Sequence, residues 1–283
     1  MSKPVPRFPL GLDRVGAATP AARPRERELL RPQRPLHEAA RDAQRQSAPG
    51  LPSTPLGLGL DSGPVRERMV ARLRAEGLSC EPVFEAMRQV PRHQFVDTAL
   101  ANQAYEDTSL PIGHGQTISK PSVVARMIEL LFGSEMARSQ GYPVHLGRVL
   151  EIGTGCGYQT ALLATLARRV LSVERIRPLF DKASAHLGGL PGRRLDHVRL
   201  VYGDGMLGHA PNAPYDHIIA AAGGDDLPQA WLDQLAVGGR LVAPMHRSGG
   251  RGQVLVVIDR QPQGCSRSEY EAVHFVPLKS GVV

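Results

Sequence analysis

A short glycine-rich stretch, Glu151-Ile-Gly153-Thr-Gly155-Cys-Gly157, has the residue types best suited to binding a small molecule. It follows an apolar run typical of a buried strand and precedes a run with helical spacing. Glycines in such a turn let the backbone approach a ligand where any Cβ would collide. Open α/β sheets bind ligands at the carboxyl ends of their strands, so this loop is the first candidate site.

The loop does not match the two common phosphate-binding patterns. A dinucleotide fingerprint needs Gly or Ala at position 158, where this chain has Tyr158, and the Gly-Lys-Ser/Thr of a P-loop is absent. Glu151 is unfavourable beside a pyrophosphate but favourable beside a positively charged group. The sequence therefore favours a nucleoside ligand with a cationic centre.

Two further carboxylates follow the next two predicted strands. Glu174 ends the second strand, where a carboxylate can accept both hydroxyls of a ribose. Asp204, followed by Gly205, comes after the third strand, where it can accept from the exocyclic amine of adenine. Because carboxyl ends of parallel strands share one edge of a sheet, we expect these carboxylates to converge with Glu151 on the ligand. A tight turn without a ligand remains the alternative interpretation of the glycine loop.

The elements that must position these residues alternate between strand and helix patterns. β-type runs are predicted at residues 148–152, 169–174, 198–201, 215–221, 239–244, 253–258 and 271–276. Helical patterns at 159–168, 178–187 and 228–236 separate the first five runs, and a further helix is predicted at 122–132. This alternation predicts a doubly wound α/β fold with a mostly parallel sheet. The last two runs have no helix between them, which predicts an antiparallel C-terminal strand.

Composition divides the 283 residues into two parts. Residues 1–62 contain ten of the 24 prolines and a single aromatic residue, Phe8, so they are predicted to be a disordered tail. A basic arm that binds nucleic acid or an acidic partner is the alternative. Residues 63–283 are predicted to form the folded domain, with a helical part at 63–133 and a sheet at 148–283.

Other patterns limit the possible location and cofactors of the protein. The sequence has no apolar run long enough for a membrane span and no apolar stretch like a secretory signal near its start, so neither is expected. The three cysteines are far apart, which predicts a reducing, cytoplasmic location rather than a disulfide framework. No clustered Cys/His spacing occurs, so no metal is predicted.

The glycine loop and Glu174 together resemble the class I S-adenosylmethionine-dependent methyltransferases, whose fold is Rossmann-like. Four further segments resemble one family among them, the protein-L-isoaspartate O-methyltransferases. These segments are Val90-Pro-Arg-His-Gln-Phe-Val-Asp97, Ala104-Tyr-Glu-Asp-Thr-Ser-Leu-Pro-Ile-Gly-His-Gly-Gln-Thr-Ile-Ser-Lys-Pro121, Ser172-Val-Glu-Arg-Ile176 and Val273-His-Phe-Val-Pro-Leu278. The segment 111–119 is far more specific than the glycine loop. The resemblance covers about residues 65–280 and leaves the tail unexplained.

The resemblance implies a repair methyltransferase. Such an enzyme transfers the methyl group of S-adenosyl-L-methionine to the free carboxylate of L-isoaspartyl residues in damaged proteins and peptides and releases S-adenosyl-L-homocysteine. The methyl ester then closes to a succinimide. No metal, membrane or nucleic acid is implied, and a monomer is expected.

The resemblance also implies roles for single residues. Ser119 matches the active-site serine, which orients the substrate carboxylate, and Thr117 and Ile118 are expected to border the cofactor. The cofactor-binding set is Glu151, Gly153, Gly155, Gly157, Glu174, Asp204 and Gly205. Serine is also a favoured N-cap, so capping of the following helix is the alternative role of Ser119.

One segment departs from the family. Ala243-Pro-Met-His246 stands where a glycine is common, and this leaves the rim of the substrate pocket open to question. Three other functions remain as alternatives: methylation of another carboxylate, methylation of nucleic acid, and cofactor binding without catalysis. The Asn/Asp-Pro-Pro-Tyr/Phe motif of amino-methylating enzymes is absent, since Ala220-Ala-Ala-Gly-Gly is found there.

Overall fold

The computed structural model describes residues 63–134, 146–190, 192, 195–247 and 252–283. The predicted tail at 1–62 lies outside these residues, so its disorder stays a prediction. Most of the Gly- and polar-rich segment at 134–147, which the sequence predicts to be a surface loop, also lies outside them.

The first part of the described chain is helical and ends in a small hairpin. Helices α1 and α2 are followed by two short 3-10 segments, the hairpin strands β1 and β2, and helix α3. Helix α3 begins one residue before its predicted start, at a proline whose fixed φ suits a first helical position. The hairpin was not predicted. The bounds are α1 Gly63–Ala75, α2 Glu81–Gln89, β1 Leu110–Gly113, β2 Gln116–Ile118 and α3 Pro121–Phe132.

A seven-stranded sheet forms the rest, in the order β5-β4-β3-β6-β7-β8-β9. The pairs from β5 to β7 are parallel, and the β7–β8 and β8–β9 pairs are antiparallel. The predicted doubly wound, mostly parallel sheet with an antiparallel C-terminal strand is therefore confirmed. The bounds are β3 Arg148–Ile152, α4 Tyr158–Leu166, β4 Arg169–Glu174, α5 Arg177–Gly188, β5 Val198–Tyr202, β6 Tyr215–Ala220, α6 Gln229–Gln234, β7 Leu235–His246, β8 Gln253–Gln261 and β9 Gly264–Val273.

The predicted bounds of the last strand were wrong. β9 runs from Gly264 to Val273, so half of the predicted run at 271–276 lies beyond its end. The strand itself is nearly all exposed, so it carries no apolar alternation for a sequence pattern to detect. After β9 the chain returns along the carboxyl edge of the sheet, where Pro277 bridges to Gly223.

Alternate residues of β3 and β4 serve two separate apolar cores. Val149 and Val170 pack with helices α2 to α5 on one face, whereas Leu150 and Leu171 pack with Trp231 of α6 on the other. Both faces of the parallel strands are thus covered. The strand order reverses beside β3, with β4 on one side and β6 on the other, and such a switch point is where open α/β sheets bind ligands.

Candidate active site

A cavity of about 340 Å³ lies at the carboxyl ends of β3 and β4. Its size falls within the range of small-molecule sites, which is about 300–1,000 Å³. The sheet contributes one wall, the β1–β2 hairpin and the start of α3 a second, and residues 276–279 with Val283 a third. The site is therefore built from segments that are far apart in the sequence.

The glycine loop forms the floor of this cavity. Gly153, Gly155 and Gly157 have φ of 87°, 57° and 92°, a left-handed conformation that side chains disfavour. A Cβ on Gly155 would lie 3.3 Å from Ile112 of the hairpin, so this glycine lets the hairpin pack closely on the loop. Gly153 and Gly155 line the cavity, whereas Gly157 instead faces Leu187 of α5.

Glu174 lines the cavity at the end of β4 and is 4% exposed. One carboxylate oxygen accepts from the N–H of Gly155 at 2.8 Å, and the other accepts from the N–H of Ile176 at 2.9 Å. A carboxylate has about four acceptor sites, so two remain for other donors. This arrangement fits the two adjacent hydroxyls of a ribose.

Glu151 is placed differently from the expectation. Its side chain is fully buried and does not line the cavity. It accepts hydrogen bonds from Gln159 Nε2 at 3.0 Å and from Thr160 Oγ1, both in the first turn of α4. Burial raises the pKa of its carboxyl to about 7. The structure therefore places the Glu151 side chain outside the cavity, and its contacts join β3 to α4.

Asp204 and Gly205 are neighbours in the sequence, but only Gly205 lines the cavity. The Asp204 carboxylate accepts from the N–H of Met206 at 2.9 Å and from the N–H of Gly281 at 2.6 Å, and it does not line the cavity. Gly205 does line it, and a Cβ there would come within 2.6 Å of Ile152 Cγ2. Trp231, the single tryptophan of the chain, donates from Nε1 to the carbonyl of Gly205 at 2.8 Å.

Residues 280–283 form a strap along the ends of β4 and β5. The N–H of Val283 donates to the carbonyl of Arg175 at 2.8 Å, and the N–H of Arg177 donates to the carbonyl of Val283 at 2.7 Å. The Arg175 Nε donates to the carbonyl of Gly281 at 2.8 Å. No motif pointed to this strap, because its contacts are made by backbone atoms that any sequence supplies.

Thr117, Ile118 and Ser119 all line the cavity, at the end of β2 and just after it. The capping alternative for Ser119 was wrong. The carboxylate of Asp107 accepts from the N–H and hydroxyl of Ser122, each at 2.8 Å, and so caps α3 from a distant position. Within the described ranges, the Ser119 hydroxyl makes no hydrogen bond, and it remains available to a ligand.

The segment that departs from the family is not part of the cavity wall. Met245 is fully buried in the core, and His246 bonds the carboxylate of Asp225 through Nδ1 at 2.6 Å. His114 lines the cavity from the exposed tip of the hairpin, where its φ is 53°. In the part of the chain that the structure describes, no three His, Cys, Asp or Glu side chains group as metal ligands would. Nor does any described helix have the length and apolarity of a membrane span.

Comparison with known proteins assigns nearly the whole described chain to one family. The family model of the protein-L-isoaspartate(D-aspartate) O-methyltransferases matches residues 65–283. A protein-L-isoaspartate O-methyltransferase of Methylibium petroleiphilum is 62% identical over 280 residues, which cover 99% of this chain and 97% of that protein. One of Leptothrix cholodnii is 59% identical over 252 residues, or 89% of this chain and 84% of the relative.

Solved structures support the fold. A protein-L-isoaspartate O-methyltransferase structure matches 77% of this chain and 67% of its own with a TM-score of 0.64 at 26% identity. A Plasmodium falciparum protein described as such a methyltransferase, in complex with S-adenosyl-L-homocysteine, matches 76% of this chain and 98% of its own, with a TM-score of 0.64 at 24% identity. With most of its length matched by the family model and by relatives of this similarity, the chain belongs to the protein-L-isoaspartate(D-aspartate) O-methyltransferase family.

Proposed function

We propose that the cavity between the glycine loop and Ser119 is where the methyl group meets the substrate carboxylate. The protein is a repair methyltransferase that acts on the free carboxylate of L-isoaspartyl residues, and the ester that it forms closes to a succinimide. The observation that carries this assignment is the convergence of Ser119, Gly155 and Glu174 on one cavity. Methylation of nucleic acid and cofactor binding without catalysis are not favoured.

The residues of the cavity fit S-adenosyl-L-methionine. Glu174 has acceptor capacity left for a ribose, and Gly153 and Gly155 leave room for close approach of the ligand to the backbone. Gly205 borders the same space, and a side chain there would collide with Ile152. The S-adenosyl-L-homocysteine bound to the Plasmodium falciparum protein, which has the same fold, is consistent with this ligand.

We assign indirect roles to three of the predicted cofactor residues. Glu151 joins β3 to the first turn of α4 and so holds the loop between them. Gly157 packs against Leu187 and lets α4 begin close to α5. Asp204 holds the strap through Gly281 rather than facing the cavity.

The reaction makes modest demands on the side chains. When bound, S-adenosyl-L-methionine supplies a methyl group on a positively charged sulfur. A substrate carboxylate has an ordinary pKa near about 4 and is already ionised at neutral pH, so no general base is required. The Ser119 hydroxyl donates a hydrogen bond to the substrate carboxylate and orients it, while Thr117 and Ile118 border the methyl donor. Apolar side chains at Ile112 and Val124 exclude water from the same space.

The decisive experiment compares two peptides that differ only at one residue, L-isoaspartate or ordinary aspartate. Methyl transfer from labelled S-adenosyl-L-methionine is expected to the isoaspartyl peptide alone, with methanol released as the ester breaks down. Equal transfer to both peptides would overturn the assigned substrate. If the cofactor binds but no methyl group is transferred to either peptide, the fold and the cofactor site would stand and the proposed reaction would be refuted.

We infer further that the protein acts as a monomer in the cytoplasm, without metal or nucleic acid. Cys80, Cys156 and Cys265 are free thiols, as a reducing compartment favours. The segment after β6, which in amino-methylating enzymes accepts from the target amine, is Ala221-Ala-Gly-Gly here and offers no such side chain.

A further inference from the structure

Arg92 is fully buried, which is rare for an arginine without a carboxylate partner. It opens the 3-10 segment Arg92–Phe95 that follows α2. In the described ranges no salt bridge involves it, and burial lowers the pKa of its guanidinium. Its Nη1 atom has no hydrogen-bond partner among these residues either. Burial of a charged group with an unsatisfied donor costs free energy, so stabilisation of the fold does not by itself explain this arginine.

The remaining guanidinium nitrogens join two separate segments. Nε donates to the carbonyl of Ala104 at 2.7 Å, and Nη2 donates to the carbonyl of Ser119, also at 2.7 Å. The planar guanidinium holds these two donors in a fixed geometry, so the position of one carbonyl determines that of the other. The position of Ser119 beside the cavity is therefore constrained partly by Arg92, which lies 27 residues earlier in the sequence.

The same guanidinium reaches the glycine loop. Its carbon lies 4.7 Å from the ring centre of Tyr158, in a cation–π contact. Tyr158 is the first residue of α4, directly after the glycine loop, and it lines the cavity. Arg92 thus contacts both the segment that presents Ser119 and the segment that holds the methyl donor.

We propose that Arg92 is a positioning residue for methyl transfer, which holds the Ser119 hydroxyl at a fixed distance and angle from the glycine loop. In-line displacement depends on the alignment of oxygen, methyl carbon and sulfur, and about 1 Å of misplacement can cost about 100-fold in rate. The guanidinium contacts neither the substrate nor the cofactor, since Arg92 does not line the cavity. This role rests on the proposed function of the cavity.

The test compares Arg92→Met, Arg92→Lys and a matched control, Arg240→Met. Arg240 is also largely buried and also donates to a backbone carbonyl, that of Leu130, while it pairs with Asp259 away from the cavity. Each full-length variant is assayed with the isoaspartyl peptide well below its own Tm. Binding of S-adenosyl-L-homocysteine is followed separately by the fluorescence of Trp231, which bonds Gly205 at the cavity wall.

For Arg92→Met we expect kcat to fall by about 100-fold, the cost of misplaced reacting groups. Binding of S-adenosyl-L-homocysteine should weaken by less than about 5-fold, because the lost contacts act on the alignment rather than on the ligand. Arg92→Lys keeps the charge but not the planar pair of donors, so its kcat should lie about 10-fold below that of the native protein. Arg240→Met should lower Tm and leave kcat within about 3-fold.

Two results would overturn the role. One is a folded Arg92→Met variant with kcat within about 3-fold of the native value, and the other is an equal loss of kcat in Arg240→Met. If Arg92→Met does not fold, Arg92→Lys decides, and a kcat within about 3-fold of the native value contradicts the proposal. Failure of the native protein to methylate the isoaspartyl peptide would instead refute the proposed function itself.

Discussion

The carboxylate of Glu174 accepts a hydrogen bond from the backbone N–H of Gly155 at 2.8 Å, so the end of β4 holds the turn that follows β3. The same carboxylate accepts from the N–H of Ile176 on its own segment. Glu174 thus links two neighbouring strand ends and still has acceptor sites left for a ligand. Loss of this side chain should affect the loop and the ligand together.

Replacing Glu174 with alanine should weaken binding of S-adenosyl-L-homocysteine by at least about 100-fold, since it removes two hydrogen bonds to a charged group, each of which contributes about 1.5–3 kcal/mol. The measurement is a titration followed by Trp231 fluorescence. Asp181→Ala is the control, because Asp181 pairs with Arg177 on the exposed side of α5 and does not line the cavity. Native affinity in Glu174→Ala would exclude the ribose assignment.

Replacing Ser119 with alanine should instead act on turnover. We expect kcat for the isoaspartyl peptide to fall by about 10-fold to 100-fold, the range for one lost hydrogen bond to a charged carboxylate. Affinity for S-adenosyl-L-homocysteine should hardly change. Ser122→Ala is the matched control: it removes a hydroxyl that bonds Asp107 outside the cavity and should leave kcat as it is. An unchanged kcat in Ser119→Ala would remove Ser119 from the reaction.

Glu151 should make stability depend on pH. Burial raises the pKa of its carboxyl from 4.5 to about 7, so the folded protein holds this proton more tightly than the unfolded chain. The stabilisation is complete below pH 4.5 and is lost as the pH rises through about 7. Glutamine cannot ionise and keeps an acceptor for Thr160, so the Tm of Glu151→Gln relative to the native protein should rise between pH 5 and pH 8.

The control for this pH dependence is Glu85→Gln, on the exposed side of α2, which should follow the native curve. Thermal melts at several pH values across this range give the Tm curves. If Glu151→Gln and the native protein show parallel Tm curves across the range, the buried carboxyl does not titrate as its surroundings indicate.

Removing residues 280–283 should speed the release of the cofactor product. The strap is bonded to Arg175, Arg177 and Asp204, next to the proposed ribose acceptor. We expect the dissociation rate of S-adenosyl-L-homocysteine to rise by about 10-fold, the effect of losing about 1.4 kcal/mol. Stopped-flow Trp231 fluorescence measures it. Val282→Ser, at a side chain that is 49% exposed, should release the product at the native rate. An unchanged rate in the shortened chain would show that the strap lies outside the ligand path.

Sequence patterns predicted the parts of the site that depend on burial and on special backbone geometry. The glycine loop requires positive φ, and Glu174 is a carboxylate at the end of a predicted strand, so sequence patterns could indicate both. Sequence patterns could not show that the Glu151 side chain lies outside the cavity, because both faces of β3 are buried and alternation cannot show which face meets a ligand. The polar pair Gln159 and Thr160, buried in the first turn of a mostly apolar helix, was the available sign of the partners of Glu151.

Other features had no sequence signal. Asp107 caps α3 from 15 residues before Ser122, and capping patterns look only at neighbouring positions. The strap binds through backbone atoms, and β9 is exposed along nearly its whole length. Arg92 stood within a recognised segment, but only the folded chain shows that its guanidinium reaches both Ser119 and Tyr158.

The walls of the cavity come from residues as early as Ile112 and as late as Val283. The cavity therefore becomes complete only late in translation. A ribosome releases the hairpin with Ser119 long before it releases the strap. A nascent chain lacks the third wall until residues 276–283 have emerged. Stabilisation by a bound ligand, which depends on a complete site, therefore comes only after these residues have been released. During translation the fold must rely on its two apolar cores alone.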